Sequence, residues 1–206
     1  MIIAIDGPAA AGKGTLARRI AAALNLPYLD TGLLYRAVGR RVLDAGADPA
    51  DPKAAIQAAK SLISSDLART DLRGGPADKA ASQVASIPRV RTALLEFQRR
   101  FGTANGAVLD GRDIGTIIFP NADAKLFVTA SLQARAQRRH AELLGRGNDV
   151  TLEAVQADLA ARDEADANRK AAPLVAASDA MHLDTTALDI DAAFAQAMEL
   201  IKGRLG

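Results

Sequence analysis

The chemistry this chain can do is concentrated around one lysine. Lys13 stands in the stretch IDGPAAAGKGT (Ile5 to Thr15), where Gly7 and Gly12 lie five positions apart and Lys13 follows directly. This matches the pattern G-x-x-x-x-G-K in full. Two glycines let the backbone through Pro8, Ala9, Ala10 and Ala11 wrap with its N–H groups inward, and a helix beginning near Lys13 adds the positive end of its dipole. The Lys13 ammonium supplies a third source of positive potential, so the loop is a cradle for linked phosphates. The pattern usually continues with Ser or Thr as a magnesium ligand, but here Gly14 holds that position and Thr15 comes one later. We therefore expect no direct protein ligand: Mg2+ is held by phosphate oxygens and water, with Thr15 or Asp110 as the nearest protein groups.

Further charged groups fall where they could act on the same anion. The apolar run Ala107-Val-Leu-Asp110 leads into Gly111-Arg112-Asp113-Ile114-Gly115. In open α/β sheets functional side chains gather at the carboxyl ends of strands, so Asp110, Arg112 and Asp113 should share the edge that carries the phosphate loop. Arg36 lies one turn into a helix opened by Thr31-Gly32, where anion contact and simple solvation both stand open. Arg135, Arg138 and Arg139 recur at i, i+3 and i+4 and fall on one helix face, to be read as a lid in front of an anion or as a solvated surface softened by Glu142. Arg162, Asp166 and Arg169 would line one polar stripe if their helix continues to Arg169. His140 and His182 have no ligand-like spacing and are expected to be structural.

The elements that must position these groups follow from periodicity. Ile2–Ile5 is a buried strand, followed by a helix to about Asn25, a strand tip at Pro27–Asp30 and a helix from a Thr31 N-cap to a stop at Gly46. A helix over about Lys53–Ile63 precedes a polar stretch, Ser64–Ala77, expected to be a mobile connection. Helices over Asp78–Ile87 and Arg89–Phe101 are divided at Pro88. Strands at Ala107–Asp110, Lys125–Val128 and Met181–Leu183 alternate with a Ser131-capped helix, a helix from Thr151 and a last helix marked by Ile190, Phe194, Met198, Ile201 and Leu205. Gly145 and Gly147 flank Arg146 with hinge-like freedom. The class is α/β: three layers, with about five parallel strands and helices on both faces.

Composition narrows the partners. The chain has 206 residues, 49% hydrophobic and 24% charged, with a formal net charge of +2 and no cysteine, which excludes disulfides and thiolate chemistry. No apolar run approaches a membrane span and no targeting segment precedes Ile2, so a cytoplasmic location without membrane contact is expected. Aromatics are 3% of the chain and no polybasic run occurs, so small phosphorylated ligands fit better than nucleic acid.

A phosphate loop alone leaves a switch GTPase, an ATPase motor or a small-molecule kinase open. The guanine-reading N/T-K-x-D motif is absent. A phosphate acceptor, largely ionised at neutral pH, needs no general base, and no base–nucleophile dyad is evident. Five stretches then carry a family resemblance: IDGPAAAGKGT, LDTGLLYR (Leu29 to Arg36), AASQVASIPRVR (Ala80 to Arg91), LDGRDIGTIIFP (Leu109 to Pro120) and RDEADANRKAAPL (Arg162 to Leu174). In this order and over nearly the whole chain, they resemble bacterial cytidylate kinases.

The resemblance implies a P-loop kinase fold and γ-phosphate transfer from ATP to CMP or dCMP, with Mg2+, usually by a monomer. It implies one domain over 1–206, with a monophosphate-binding insert within about 31–105 and an arginine-rich lid within about 131–170. Residues Gly7 to Thr15 would bind ATP, with Lys13, Arg112, Arg139 and Arg169 catalytic. Ser82, Arg91 and Asp113 would surround the cytosine, whose N4 amine suits the acceptors Asp113 and Ser82, whereas uracil would oppose Asp113 with an oxygen. Arg36, Arg112 and Arg169 would meet the acceptor phosphate, Arg162 and Asp166 the sugar, and Thr31 would lie near the substrate, as would Asp110. The family's insert usually includes a small β-hairpin where this chain has only Ser64–Ala77, so the monophosphate clamp is expected to be smaller. Another phosphate-loop kinase, for UMP, AMP or shikimate, and a nucleotide-binding module without turnover are the alternatives.

Overall fold

The structure, a computed structural model, describes residues 1–72, 74–170 and 172–206. Arg73, in the connection read before the insert's later helices, and Ala171, in the Arg162–Leu174 stretch, lie outside the described residues. In chain order the elements are β1 (Ile2–Asp6), α1 (Lys13–Leu24), β2 (Tyr28–Asp30), α2 (Thr31–Asp44), α3 (Pro52–Lys60), α4 (Ser64–Leu67), α5 (Gly75–Ala85), α6 (Pro88–Asn105), β3 (Ala107–Gly111), a π-helical turn over Ile114–Ile118, β4 (Ala124–Thr129), α7 (Leu132–Gly145), α8 (Leu152–Ala167), β5 (Met181–Asp184) and α9 (Ile190–Leu205). They gather into two compact units, Met1–Leu29 with Asn105–Gly206, and Asp30–Ala104.

The first unit is built on a sheet that, among the described residues, has five strands in the order β2-β3-β1-β4-β5. β1 pairs in parallel with β3 and β4, and β4 with β5. Both faces of β1 and β3 are covered, so these strands are continuous apolar runs rather than alternating ones. Ile3, Ile5, Val108, Leu126 and Val128 share one core with Leu16 and Ile20 of α1 and Ala197 and Ile201 of α9. Ile190 and Leu205, read as part of the α9 stripe, are exposed at its ends instead. The register sets Asp6 opposite Gly111 on one side and Phe127 on the other, so β1 and β3 end level, β4 runs two residues further to Thr129, and all three point to one edge.

A second cluster of the same unit packs Ala9 against Ala136 of α7 and Val155 and Leu159 of α8. Ser131 caps α7 through its side-chain oxygen, as the sequence leads one to expect, and Thr151, read as the start of its helix, is the residue that caps α8. α8 ends at Ala167, so Arg169 lies beyond the helix and the proposed three-residue stripe is two helical residues and one loop residue.

The second unit is helical. α2 packs on α5 so closely that a Cβ on Gly39 would stand 2.8 Å from the Cβ of Ala80. Thr31 is not the cap of α2: Asp30 occupies that position, without a capping bond, and Thr31 is the buried first helical residue. α3 stops at Lys60, short of Ile63, while α6 starts at Pro88 and runs past Phe101 to Asn105. Ser64–Ala77 is not a bare connection. It contains α4 and the start of α5, and ion pairs tie it to α2: Asp66 to Arg41 at 2.6 Å and Arg69 to Asp44 at 2.6 Å.

Candidate active site

The phosphate loop keeps the backbone that its glycines permit. Gly7 has φ 146°, and a Cβ there would stand 2.0 Å from the carbonyl oxygen of Val128 in β4, so no other residue fits without moving the sheet. Ala10 at φ 60° and Gly12 at φ 87° turn the chain through the left-handed region before α1 begins at Lys13. The N-terminal N–H groups of α1 therefore open at the end of the loop. Lys13 is only 6% exposed and its ammonium donates to the carbonyl oxygen of Pro8 at 2.7 Å. Burial, then repulsion from Arg112, pulls its pKa down to about 7 against the opposing pull of Asp110, Asp6 and Asp166.

Gly14, where a hydroxyl residue is usual, faces a space lined by the Tyr28 hydroxyl and Asp110: a Cβ there would lie 3.4 Å and 3.7 Å from them. Asp110 accepts from the Tyr28 hydroxyl at 2.9 Å and is buried. Thr15 is exposed on the first turn of α1. Among the described residues no group of three His, Cys, Asp or Glu is placed to hold a metal ion.

Asp166 is the hub of the arginines. It accepts from Arg112 Nε at 2.7 Å and pairs with Arg169. Burial pushes its pKa up, but Arg112, then Arg169 and Arg162, outweigh that and hold it below the usual carboxylate range. The structure thus brings Lys13, Asp110, Arg112, Arg162, Asp166 and Arg169 into one electrostatic cluster. Asp113 is buried at the head of the π-helical turn.

The three-arginine face of α7 does not behave as one surface. Arg135 is buried: it donates to the carbonyl oxygens of Ala130 and Ala9 and pairs with Asp163 through two bonds of 3.1 and 2.6 Å. Arg138 donates to Thr185 and to the carbonyl of Leu188. These two guanidiniums fasten α7 to the phosphate loop, α8 and the segment after β5. Arg139 instead pairs with Glu142 at 2.8 Å and lines a 420 Å³ pocket with Gly12, Thr15, Leu188, Ile190 and Ala193. Of the histidines, His140 Nε2 lies 3.0 Å from the carbonyl oxygen of Val150, and His182 packs its ring on Phe127.

Within the second unit, Arg36 bonds Asp78 at 2.8 Å and lies 3.9 Å from Asp30. Ser82 Oγ donates to the Asp78 carbonyl at 3.3 Å, while Arg91 sits over the Tyr35 ring at 5.3 Å and donates to the Ala85 carbonyl. Arg36, Ser82 and Arg91 are therefore grouped about the α2–α5 contact, with Thr31 buried at the start of α2.

Two acidic residues escaped sequence reasoning. Asp78 is the buried partner of Arg36, and nothing in its helical context marks it. Asp6 is 5% exposed at the end of β1 and accepts from the backbone N–H of Ile114 at 2.8 Å and of Gly115 at 2.7 Å. Its burial raises its pKa to about 6 in spite of those two bonds. A charged residue closing an apolar strand was the available signal.

Comparison with known proteins places this geometry. A curated cytidylate kinase from Acidiphilium cryptum is 66% identical over 98% of this chain and 95% of its own length, and one from Granulibacter bethesdensis is 59% identical over 98% and 97%. The crystal structure of an uncharacterized protein from Eubacterium ventriosum shares the fold with a TM-score of 0.56 at 16% identity, covering 98% of both chains. The family model described as cytidylate kinase matches residues 3–203, and with relatives this similar over nearly their whole length the chain belongs to the cytidylate kinase family.

Proposed function

We propose that the protein transfers the γ-phosphate of ATP to CMP or dCMP, giving CDP or dCDP and ADP. The observation that carries the reading is the buried Lys13 at the helix end of the phosphate loop, within the electrostatic reach of Arg112, Asp110 and Asp166. Cations and backbone donors fixed before substrate arrives are what phosphoryl transfer asks of a protein. The acceptor phosphate has a second pKa near 6 and attacks in line without a general base.

In this reading Gly7 to Thr15 cradle the ATP phosphates and the 420 Å³ pocket beside them takes the donor base. Lys13, Arg112, Arg139 and Arg169 neutralise the transferring group, and Arg36, Arg112 and Arg169 hold the acceptor phosphate. Asp166 and Arg162 meet the sugar, Thr31 borders the substrate, and Ser82, Arg91 and Asp113 read the cytosine. Mg2+ keeps much of its water and binds through phosphates, so no direct protein ligand is asked of this chain. Asp110 would order the water around such an ion, whose charge would offset that of the phosphates, and Thr15 would bond a phosphate. The unit Asp30–Ala104 acts as the monophosphate-binding insert and residues about 131–170 as the lid of a single P-loop kinase domain. The protein works as a monomer in the cytoplasm on small nucleotides, without nucleic acid or membrane.

ADP formation from Mg-ATP, with CMP, dCMP, UMP, AMP and shikimate offered separately beside a Lys13→Ala control, tests the reading. Turnover with the cytidine nucleotides, abolished in the control, is expected. Comparable rates with UMP would remove the selectivity, and no acceptor-dependent turnover would leave a nucleotide-binding module.

A further inference from the structure

Gly14 leaves the phosphate loop without the oxygen that its pattern ordinarily carries there, a Ser or Thr hydroxyl turned toward Mg2+. What borders Gly14 is oxygen from elsewhere in the chain. A Cβ on Gly14 would lie 3.4 Å from the Tyr28 hydroxyl, 3.7 Å from Asp110 Oδ2 and 3.9 Å from the Arg18 guanidinium, all ordinary contact distances. A serine therefore fits at this position. Its hydroxyl, one bond beyond the Cβ, would come within hydrogen-bond reach of Tyr28 or Asp110.

The sheet brings Tyr28 to this point. Tyr28 opens β2, the neighbour of β3, and the residue before it, Pro27, accepts from the N–H of Val108 at 2.9 Å. Its ring packs on the apolar core of the first unit, with the Arg18 guanidinium 5.7 Å from the ring centroid. Its hydroxyl donates to Asp110 Oδ1 at 2.9 Å, near the end of β3. Tyr28 thus holds one oxygen of the buried Asp110 carboxylate while the other, Oδ2, borders Gly14. A carboxylate that orders water around a metal ion depends on such a partner for its orientation. A carboxylate and a phenol hydroxyl are also oxygen donors of the kind that suits the water shell of Mg2+.

We propose that Tyr28 stands in for the hydroxyl missing at Gly14: it is a positioning residue that fixes the Asp110 carboxylate toward the water around Mg2+ at the phosphate loop. The inference rests on the reading of Asp110, under the proposed function, as the residue that orders that water.

The test uses Mn2+ in place of Mg2+ and needs no turnover. Loss of the free-ion EPR signal gives the Mn2+ affinity of the protein–ADP complex, with protein in excess over ADP, and calorimetry gives ADP affinity without metal. Tyr28→Phe keeps the ring and should weaken Mn2+ binding about 10-fold, with metal-free ADP affinity within about twofold of wild type. Gly14→Ser added to Tyr28→Phe should bring Mn2+ affinity back to within about threefold of wild type, because the new hydroxyl reaches the same carboxylate. A merely structural Tyr28 would lower ADP affinity alike with and without metal and gain nothing from the serine, which refutes the inference. Unchanged Mn2+ affinity in Tyr28→Phe, or a defect that Gly14→Ser does not repair, also overturns it. Asp110→Asn tests the underlying reading separately: if it leaves Mn2+ affinity intact, the role of Asp110 falls and this inference with it. Should Tyr28→Phe not fold, Gly14→Ser alone decides: a gain in Mn2+ affinity under about twofold supports the inference, since Tyr28 already fills the role, and a gain of about 10-fold refutes it.

Discussion

ATP binding should draw a proton onto the protein at mildly alkaline pH. Lys13 is buried and crowded by Arg112, which brings its pKa down to about 7 from an ordinary 10.5. Phosphate oxygens against the ammonium reverse that balance and return the lysine to its charged form. At pH 8 roughly 0.9 of the free protein's Lys13 is neutral, so binding takes up roughly 0.9 of a proton; at pH 7 the uptake is about half a proton. Above pH 7 the linkage costs up to about 1.4 kcal/mol of ATP affinity per pH unit. Titration calorimetry in buffers of equal pH and different ionisation enthalpy measures the proton number directly. Lys13→Met keeps the buried stem and removes the proton site, so its uptake at pH 8 should vanish. A wild-type proton number near zero at pH 8, or one equal to that of Lys13→Met, would refute the argument.

The same two buried groups set the pH dependence of the nucleotide-free protein. The depressed Lys13 means that the unfolded chain binds more protons between pH 7 and 10.5, so Lys13 adds stability as pH rises through that window. Asp6 works in the opposite sense: with its pKa raised from 3.8 to about 6, the folded protein binds the extra proton, and its contribution falls as pH rises from 3.8 to 6. Urea unfolding at fixed temperature across pH 4 to 9, comparing wild type with Lys13→Met and Asp6→Asn, separates the two.

Three further substitutions probe the frame around this site. Arg135→Ala should cost about 3 kcal/mol in chemical unfolding, because it strands Asp163 and the Ala9 and Ala130 carbonyls together; a loss under about 1 kcal/mol would mean that the α7–α8 lock is not structural. Gly7→Ala should cost about 3 kcal/mol and abolish ATP binding, since its Cβ meets Val128 at 2.0 Å, whereas Gly12→Ala, with φ 87° but nothing within 4 Å, should cost about 1 kcal/mol. Equal effects in thermal melts would contradict the steric account. Asp166→Ala releases Arg112 and Arg169 from their shared partner and should lower kcat/KM for CMP about 100-fold, with KM for ATP nearly unchanged; steady-state kinetics in both substrates would show it.

What could be read from sequence divides along a physical line. The phosphate loop, the strands and the Ser131 cap are local: glycine spacing, apolar runs and capping chemistry act within a few residues, and the structure follows them. The misreadings concern partners distant in the chain. Arg135 reads from sequence as one third of a cation face, a lid before an anion or a solvated surface, because Asp163, 28 residues later, carries no mark of being its partner. Ser64–Ala77 looked like bare connection because its order comes from Arg41 and Asp44 in another helix. The turn at Ile114–Ile118 depends on an acceptor supplied by β1, so nothing in its own sequence announces it.

The charges at the strand ends carry a further consequence for how the site waits for substrate. Lys13, Arg112 and Arg169 would repel one another in a dry cleft, and each is held by a negative or polar group of the protein: the Pro8 carbonyl for Lys13 and Asp166 for both arginines. On the proposed function, phosphate that reaches Arg112 and Arg169 exchanges for the carboxylate they share, Asp166. Exchange keeps the arginines in place before binding, which lowers the reorganisation needed during transfer. It also limits the net electrostatic gain, because a cation that turns to phosphate gives up a carboxylate. Lys13 escapes this limit, since a carbonyl is a weak competitor for an ammonium and its proton can be acquired on binding. Salt should accordingly weaken ATP binding less than the number of cations suggests, and the proton number should be the more sensitive reporter of phosphate in the loop.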